Sequence, residues 1–384
     1  MLDFIVVGGG MIGAACALGL AKQGYRVVII EKYMPEPFDA KQAPDVRMSA
    51  LSLATERLLD RLGAWEFVQA MRSQPYDTLT VWESAVDEAQ RTQFQANTIN
   101  QTHLGHFVEN RLTQLALHKA LENSPNVTWH SDATITSLDP YAAQLSLSNG
   151  ETLQARWVIG ADGAQSQVRK LANIGQTGWQ YAQHAMGVIV ETDAPSTRET
   201  WQKFRPEGPI AYLPMYANYA ALIWYDSAEV ISHLIGLPNA EFQAQVNQQF
   251  EPFVGRFTAL QRAKFPLTRS HSNDYVRGKT ILVGDAAHTI NPLAGQGVNI
   301  GFKDVDALLT MFEHSIEVDE KDIKSRYETP RRRQNALMMT AMDAFYIGFS
   351  NDLLPLKFVR NGLLQLANQA GPLKQKALEY AVGL

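Results

Sequence analysis

The stretch VVGGGMIGAACALGLAKQGYRVVIIEK, Val6 to Lys32, constrains the fold more than any other part of this chain. A β-branched run meets Gly8, Gly10 and Gly13 in the spacing G-x-G-x-x-G. A small-residue helical pattern follows from Met11 to about Gln23, then a second strand-like run, Arg26 to Ile30, which ends at Glu31. The first glycine allows a tight turn, the second lets a pyrophosphate approach the backbone, and the third lets helix and strand pack closely. The N–H groups at the helix start are free to meet phosphate oxygens. The carboxylate of Glu31 is spaced to accept bonds from a ribose diol. Gly8, Gly10, Met11, Ile12, Gly13, Glu31 and Lys32 are therefore candidate cofactor contacts. FAD and NAD share an ADP half, so this unit alone does not separate them.

At 384 residues the chain is long enough for two interleaved or tandem units. An apolar fraction of 46% against 19% charged fits a globular enzyme with a large core. The net charge of −5 gives no pull toward nucleic acid. Cys16 is the only cysteine, which rules out an internal disulfide and suits a reducing compartment such as the cytoplasm. It sits among alanines and reads as a small core residue. No secretory pattern opens the sequence and no run of eighteen apolar residues occurs in it, so membrane contact is expected only from the side.

Two further runs end in glycine and aspartate: RWVIGADG (Arg156 to Gly163) and GKTILVGDAAH (Gly278 to His288). Between them MGVIVETD, GPIAYLPMY and YAALIWYD read as strands, the last two joined by a turn at Ala217 and Asn218. From about Val298 the pattern is helical, punctuated by Pro330 and Pro355. The expected fold is α/β: a Rossmann-like dinucleotide-binding domain with an inserted antiparallel-sheet substrate domain and a helical C-terminus. The approximate limits are 1–174 with 271–330, then 175–270, then 331–384.

Three ordered segments carry a family resemblance: the N-terminal glycines, the central GADGAQSQVR with Asp162, and the late GDAAHTINPLAGQGVNIGFKD with Asp285. In these the chain resembles the FAD-dependent aromatic hydroxylases, single-component flavoprotein monooxygenases. The resemblance implies bound FAD, with Arg47, Arg111, Asp162, Asp285, Pro292, Gly295, Gln296, Gly297, Val298 and Asn299 among its contacts. Pro292 is expected near both the flavin and the substrate ring. The residues agree: a carboxylate at a strand end suits ribityl hydroxyls, and the loop PLAGQGVN leads backbone N–H groups into a helix that favours negative charge. Asp285 as a mere helix cap, and Arg47 and Arg111 as solvated arginines, remain alternative readings.

Only one dinucleotide fingerprint is present, so NAD(P)H is expected to visit and leave. The family mechanism implied is reduction of FAD by NAD(P)H, reaction with O2 to a C4a-hydroperoxide, and transfer of oxygen to an electron-rich ring. No side-chain nucleophile is nominated; His271 and Tyr212 are guesses for a base. His288 lacks metal-ligand company, and no Cys/His zinc cluster, nucleophile elbow or P-loop is legible.

Within the family, PDVRMSALS, WQYAQ, FPLTRSHSNDYV, the late segment and FYIGFSNDLLPLKFVRN are similar to the ubiquinone-biosynthesis hydroxylases. WQYAQ and the tail look most like the branch acting on the demethoxy-ubiquinol intermediate. The substrate implied is a polyprenyl benzoquinol, and the partners implied are other proteins of that pathway. Sister ring hydroxylases, other flavin hydroxylases, dehydrogenases or halogenases, and an FAD-stabilised scaffold are the alternatives. Ile210, Tyr212, Leu213, Leu222, Ile223 and Trp224 form a pocket wall or ordinary core. The stretch Leu353 to Leu366, with Lys357, Arg360, Lys374 and Lys376, is either a terminal helix pair or an interfacial segment at the inner face of the membrane. Arg331, Arg332 and Arg333 read as a solvated face, or more sharply as a docking patch for phosphate or headgroups.

Overall fold

The computed structural model describes residues 2–83, 91–290, 297–349 and 371–384. The expected flavin contacts Pro292, Gly295 and Gln296 lie outside the described residues, as does the stretch Leu353 to Leu366.

Three sheets organise the described residues. In the first, Leu2–Val7 lies between Val27–Glu31 and Thr152–Gly160, with Val127–Ser131 and Thr280–Leu282 further out, all parallel. Parallel strands covered on both faces read as continuous apolar runs, and Phe4, Ile5 and Val6 are fully buried. The helix Met11–Lys22 uses small residues because it is pressed against the helix Gly297–Phe312: a Cβ on Gly19 would stand 2.3 Å from a Leu309 methyl. Cys16 is fully buried on this helix, where burial pushes its thiol up to about 12.

The second sheet runs in the order His288–Thr289, Phe257–Ser272, Gln176–Thr192, Tyr219–Ser227, Ile210–Pro214, Glu199–Phe204, Thr78–Glu83, Thr92–Gln95. The hairpin turns at Ala217, whose φ is +56°. One pairing, Glu199–Phe204 with Thr78–Glu83, is parallel, so residues from the N-terminal half complete a sheet whose centre comes from 176–272.

The two faces of this sheet differ in what they meet. On one, Ile210, Tyr212, Leu222 and Trp224 pack with Phe242 and Phe250 of the helix Asn239–Val254 as ordinary core. On the other, Ile189, Met215 and Ala221, flanked by Leu213 and Ile223, meet Val46 and Met48. Of the six apolar residues expected as pocket wall or core, only Leu213 and Ile223 thus face the nucleotide-binding side.

A small sheet, Met48–Ser52, Gly105–Glu109 and Gln74–Tyr76, sits at that junction. Arg72 and Glu109 form a buried ion pair there at 3.0 Å, and Arg72 also reaches the Tyr216 hydroxyl on the large sheet. The terminal helix Gly371–Val382 packs Leu378 and Val382 against Leu53, Ala96, Ile99 and Leu104. Among the described residues no helix is long and apolar enough to cross a membrane.

Candidate functional site

The glycine loop has the geometry its spacing predicts. Gly8 has φ +102°, and a Cβ there would lie 2.5 Å from the Ala161 carbonyl oxygen. A Cβ on Gly13 would stand 1.8 Å from the Gly8 oxygen. At Gly10, by contrast, an added Cβ meets nothing within 4 Å. Gly10 begins the helix without a side-chain cap, and no acidic residue occupies the first turn. The amides at that end are therefore open to an anion, and the space beside Gly10 is open to a ligand.

Glu31 closes the loop from the next strand. Its Oε2 accepts from Gly9 N–H at 2.5 Å and its Oε1 from Tyr33 N–H at 2.8 Å. Lys32 is exposed and rests over the Tyr33 ring. The helix Asn110–Leu121 braces the loop from outside, with Gln114 and His118 at 3.0 and 2.7 Å from the Gly9 carbonyl oxygen. Neither residue drew notice in the sequence, because each acts on a backbone oxygen remote along the chain.

The late segment meets this loop directly. The strand Thr280–Leu282 ends in a tight turn, Gly284–Ala286, with Gly284 at φ +57°. Cβ atoms placed on Gly284 and Gly301 would stand 3.2 and 2.8 Å from Ile12. Asp285 projects from this turn. It is exposed to solvent, and the protein around its base partly desolvates the carboxylate. That desolvation raises its carboxyl pKa; His288 pulls it down and Asp304 pushes it up. Among the described residues its carboxylate makes no hydrogen bond or ion pair. Gly297 and Val298 begin the helix that packs against this turn, both partly buried.

The side chains of other expected contacts have protein partners. The Asp162 carboxylate accepts from the Ser166 hydroxyl and from Gln167 and Val168 N–H, which caps the helix Gln167–Leu171. Asn299 is buried; its Oδ1 accepts from Ser52 N–H and the Thr55 hydroxyl, and its Nδ2 donates to the Ala50 carbonyl. Their side chains hold loops in place. Arg111 is not a solvated arginine: it pairs with Asp45 at 2.8 Å and donates to the carbonyls of Glu36 and Pro37. Arg47 is exposed and lies over the Phe265 ring, 5.6 Å from its centroid, where the large sheet meets the strand Met48–Ser52.

The expected solvated run Arg331–Arg333 is corrected at its first member. Arg331 is buried and donates to Asp304 Oδ1 at 2.7 Å. Asp304 has no exposed surface; its Oδ2 accepts from Gly284 N–H at 3.0 Å and pairs with His288 Nε2. Burial alone would raise this carboxyl, but His288 and Arg331 bring it down to about 2. Asn335 extends the network from Arg331 to the Tyr275 hydroxyl, which meets His271 Nε2 at 2.7 Å. The network stands directly behind the Asp285 turn. His288 is thereby a hydrogen-bonding residue. Tyr212, the other guess for a base, stacks on Trp201 on the helix-covered face.

His271 yields a pH prediction. Burial, then the neighbouring His288, Arg332 and Arg269, hold it down at about 4, with Asp304 opposing. The folded protein keeps this ring neutral at pH values where the unfolded chain, with a pKa near 6.5, takes a proton. Its share of stability is full above about 6.5 and falls as pH drops toward 4. Denaturant titrations of His271→Gln are expected to show a flatter stability curve across that window. A curve parallel to wild type throughout would refute the assignment.

The chain resembles known proteins over most of its length. A family model described as "FAD binding domain" matches residues 1–341. The chain is 45% identical to 3-demethoxyubiquinol 3-hydroxylase of Escherichia coli K12 over 100% of this chain and 98% of that protein. It is 34% identical to ubiquinone hydroxylase UbiL of Rhodospirillum rubrum over 99% of this chain and 89% of that one. Among solved structures, p-nitrophenol 4-monooxygenase PnpA of Pseudomonas putida superposes with TM-score 0.79 at 17% identity, covering 100% of this chain and 96% of that one. PqsL of Pseudomonas aeruginosa, in complex with 2-aminobenzoylacetate, gives 0.76 at 19% identity over 91% and 97%. These structural likenesses concern the fold.

Proposed function

Because this chain belongs to the FAD-binding-domain family that includes the ubiquinone-biosynthesis hydroxylases, we propose that it hydroxylates the ring of a polyprenyl benzoquinol, at the demethoxyubiquinol step. Its cofactor is FAD, with NAD(P)H as visiting reductant and O2 as co-substrate. The residues fit the group. The open space at Gly10 and the uncapped helix start take the pyrophosphate, and Glu31 takes the adenosine ribose. Asp285 takes ribityl hydroxyls. Bound FAD supplies the oxygen-activating chemistry.

The chain's own residues position the ring and exclude water. The apolar junction of Ile189, Leu213, Met215, Ala221 and Ile223 with Val46 and Met48 lies between the large sheet and the nucleotide-binding side. It offers a dry wall where an aromatic ring can be held. The prenyl tail keeps such a substrate in lipid, so the protein is proposed to work peripherally at the inner face of the membrane.

The observation that carries the cofactor reading is the contact of the glycine loop with the Gly284–Asp285 turn through Ile12, beside a carboxylate with no partner among the described residues. The substrate reading rests on kinship to a demethoxyubiquinol hydroxylase. Asp285→Ala removes the acceptor for ligand hydroxyls. Bonds to a charged group contribute about 1.5–3 kcal/mol, so FAD affinity is expected to fall about 10- to 150-fold, read by flavin fluorescence titration. In cells lacking this gene product, mass spectrometry should find the demethoxy intermediate, cleared by wild type and not by the variant. Normal FAD affinity in the variant would sink the site assignment; a completed quinone in the deletion strain would sink the substrate.

A further inference from the structure

One residue beyond Thr55, which anchors Asn299, lies a cluster the cofactor site does not use. Glu56 stands in the first turn of the helix Leu53–Arg61, His106 on the strand Gly105–Glu109, and His103 in the turn before that strand. Glu56 Oε2 is 2.8 Å from His103 Nε2 and 3.1 Å from His106 Nδ1. The three donor atoms all lie within 4.8 Å of one another, and among the described residues this is the one such group of His, Cys, Asp or Glu. Ligand atoms around tetrahedral zinc, with bonds of about 2.0–2.2 Å, stand roughly 3.3 Å apart. Small side-chain rotations therefore bring all three onto one ion.

The surroundings favour that arrangement. His103 Nδ1 lies 2.9 Å from the Thr102 hydroxyl, the kind of outer bond that orients a ligating imidazole. The His106 ring is fixed by edge contacts with Trp65 and His103, at 4.9 and 4.6 Å. Its strand is registered against the strand that leads into Glu56's helix, with Leu51 opposite His106 and Ser52 opposite Gly105. The side chains of Glu56, His103 and His106 are only 19%, 18% and 9% exposed, so a bound ion would be sheltered but reachable. Two imidazoles and one carboxylate suit zinc-type ions rather than calcium or magnesium, which prefer oxygen ligands alone.

We propose that Glu56, His103 and His106 bind a zinc-type divalent cation, which ties the helix after Ser52 to the neighbouring strand and leaves one coordination position to solvent. The ion acts as a structural clasp, stabilising the folded state by mass action.

The test uses the full-length flavoprotein, stripped with a chelator and titrated with Zn(II) and Co(II). One ion per chain is expected, with a raised melting temperature and the visible bands of four-coordinate Co(II) bound to imidazole. His103→Ala and Glu56→Gln should each weaken binding at least tenfold while flavin content stays at the wild-type level. Absence of saturable binding to wild type overturns the proposal, as does equal binding by wild type and His103→Ala. Should either variant fail to fold, the wild-type Co(II) spectrum decides alone: a six-coordinate, oxygen-ligated spectrum refutes the site.

Discussion

Alanine at Gly13 is expected to leave the protein without flavin and markedly less stable. The added methyl would stand 1.8 Å from the Gly8 carbonyl oxygen, and no rotamer relieves a clash between backbone and Cβ. Either the helix Met11–Lys22 backs away from the strand Leu2–Val7, or the turn at Gly8 opens. Both movements break the crossing that aims the helix amides at a phosphate. Overpacking costs about 1–3 kcal/mol where neighbours can shift; here the neighbour is backbone of the tight turn that leaves the central strand, so a loss above about 3 kcal/mol is expected. Gly10→Ala separates fold from cofactor. Its methyl meets nothing within 4 Å among the described residues, and the backbone there, at φ −68°, suits any residue. The apoprotein should therefore unfold at the wild-type denaturant midpoint, while FAD binds about 5- to 150-fold more weakly, the equivalent of about 1–3 kcal/mol of steric cost. Equal flavin affinity in Gly10→Ala and wild type would show that the pyrophosphate does not pass this glycine.

Neutralising Asp304 is expected to cost about 3–5 kcal/mol, the range for breaking a buried ion pair by removing one partner. Asp304→Asn strands the buried Arg331 guanidinium without its anion, and it weakens the acceptor that fixes Gly284 N–H and His288. The Asp285 turn then loosens, so FAD affinity should fall along with stability. Asp304→Leu with Arg331→Met removes both charges, and this double variant should be more stable than Asp304→Asn. The pH signature has a definite sign. The folded carboxyl sits at about 2 against an ordinary 3.8, so its contribution is complete above about 4 and is lost as pH falls toward 2. Wild type should show an acid unfolding step in that range which Asp304→Asn lacks. If chemical denaturation finds Asp304→Asn within 1 kcal/mol of wild type, the network does not hold the turn.

Much of the geometry proposed to hold the cofactor could be read along the chain because its physics is local. Gly8, Gly10 and Gly13 act within one strand-turn-helix, and Asp285 follows the end of its own strand. Side chains that act across the fold were harder to place. Asp162 and Asn299 belong to the motifs, yet their partners are a helix cap five residues on and a strand some 250 residues away. Arg331 lay in what read as a charged surface run. Its partner Asp304 did carry a signal: four residues from both Ile300 and Leu308, it occupies the buried stripe of its helix, where a carboxylate needs a counter-charge.

Sequence by itself determined the tight glycine turn, the strand-end carboxylate and the resemblance to flavin hydroxylases, since glycine sterics and short-range spacing are properties of consecutive residues. Only the tertiary structure decided which face of the large sheet meets Val46 and Met48, which charges are buried as Asp304, His288 and Arg331 are, and that Glu56, His103 and His106 converge. Those outcomes depend on sheet register and helix packing, which bring together groups from distant parts of the chain and set the dielectric around each of them.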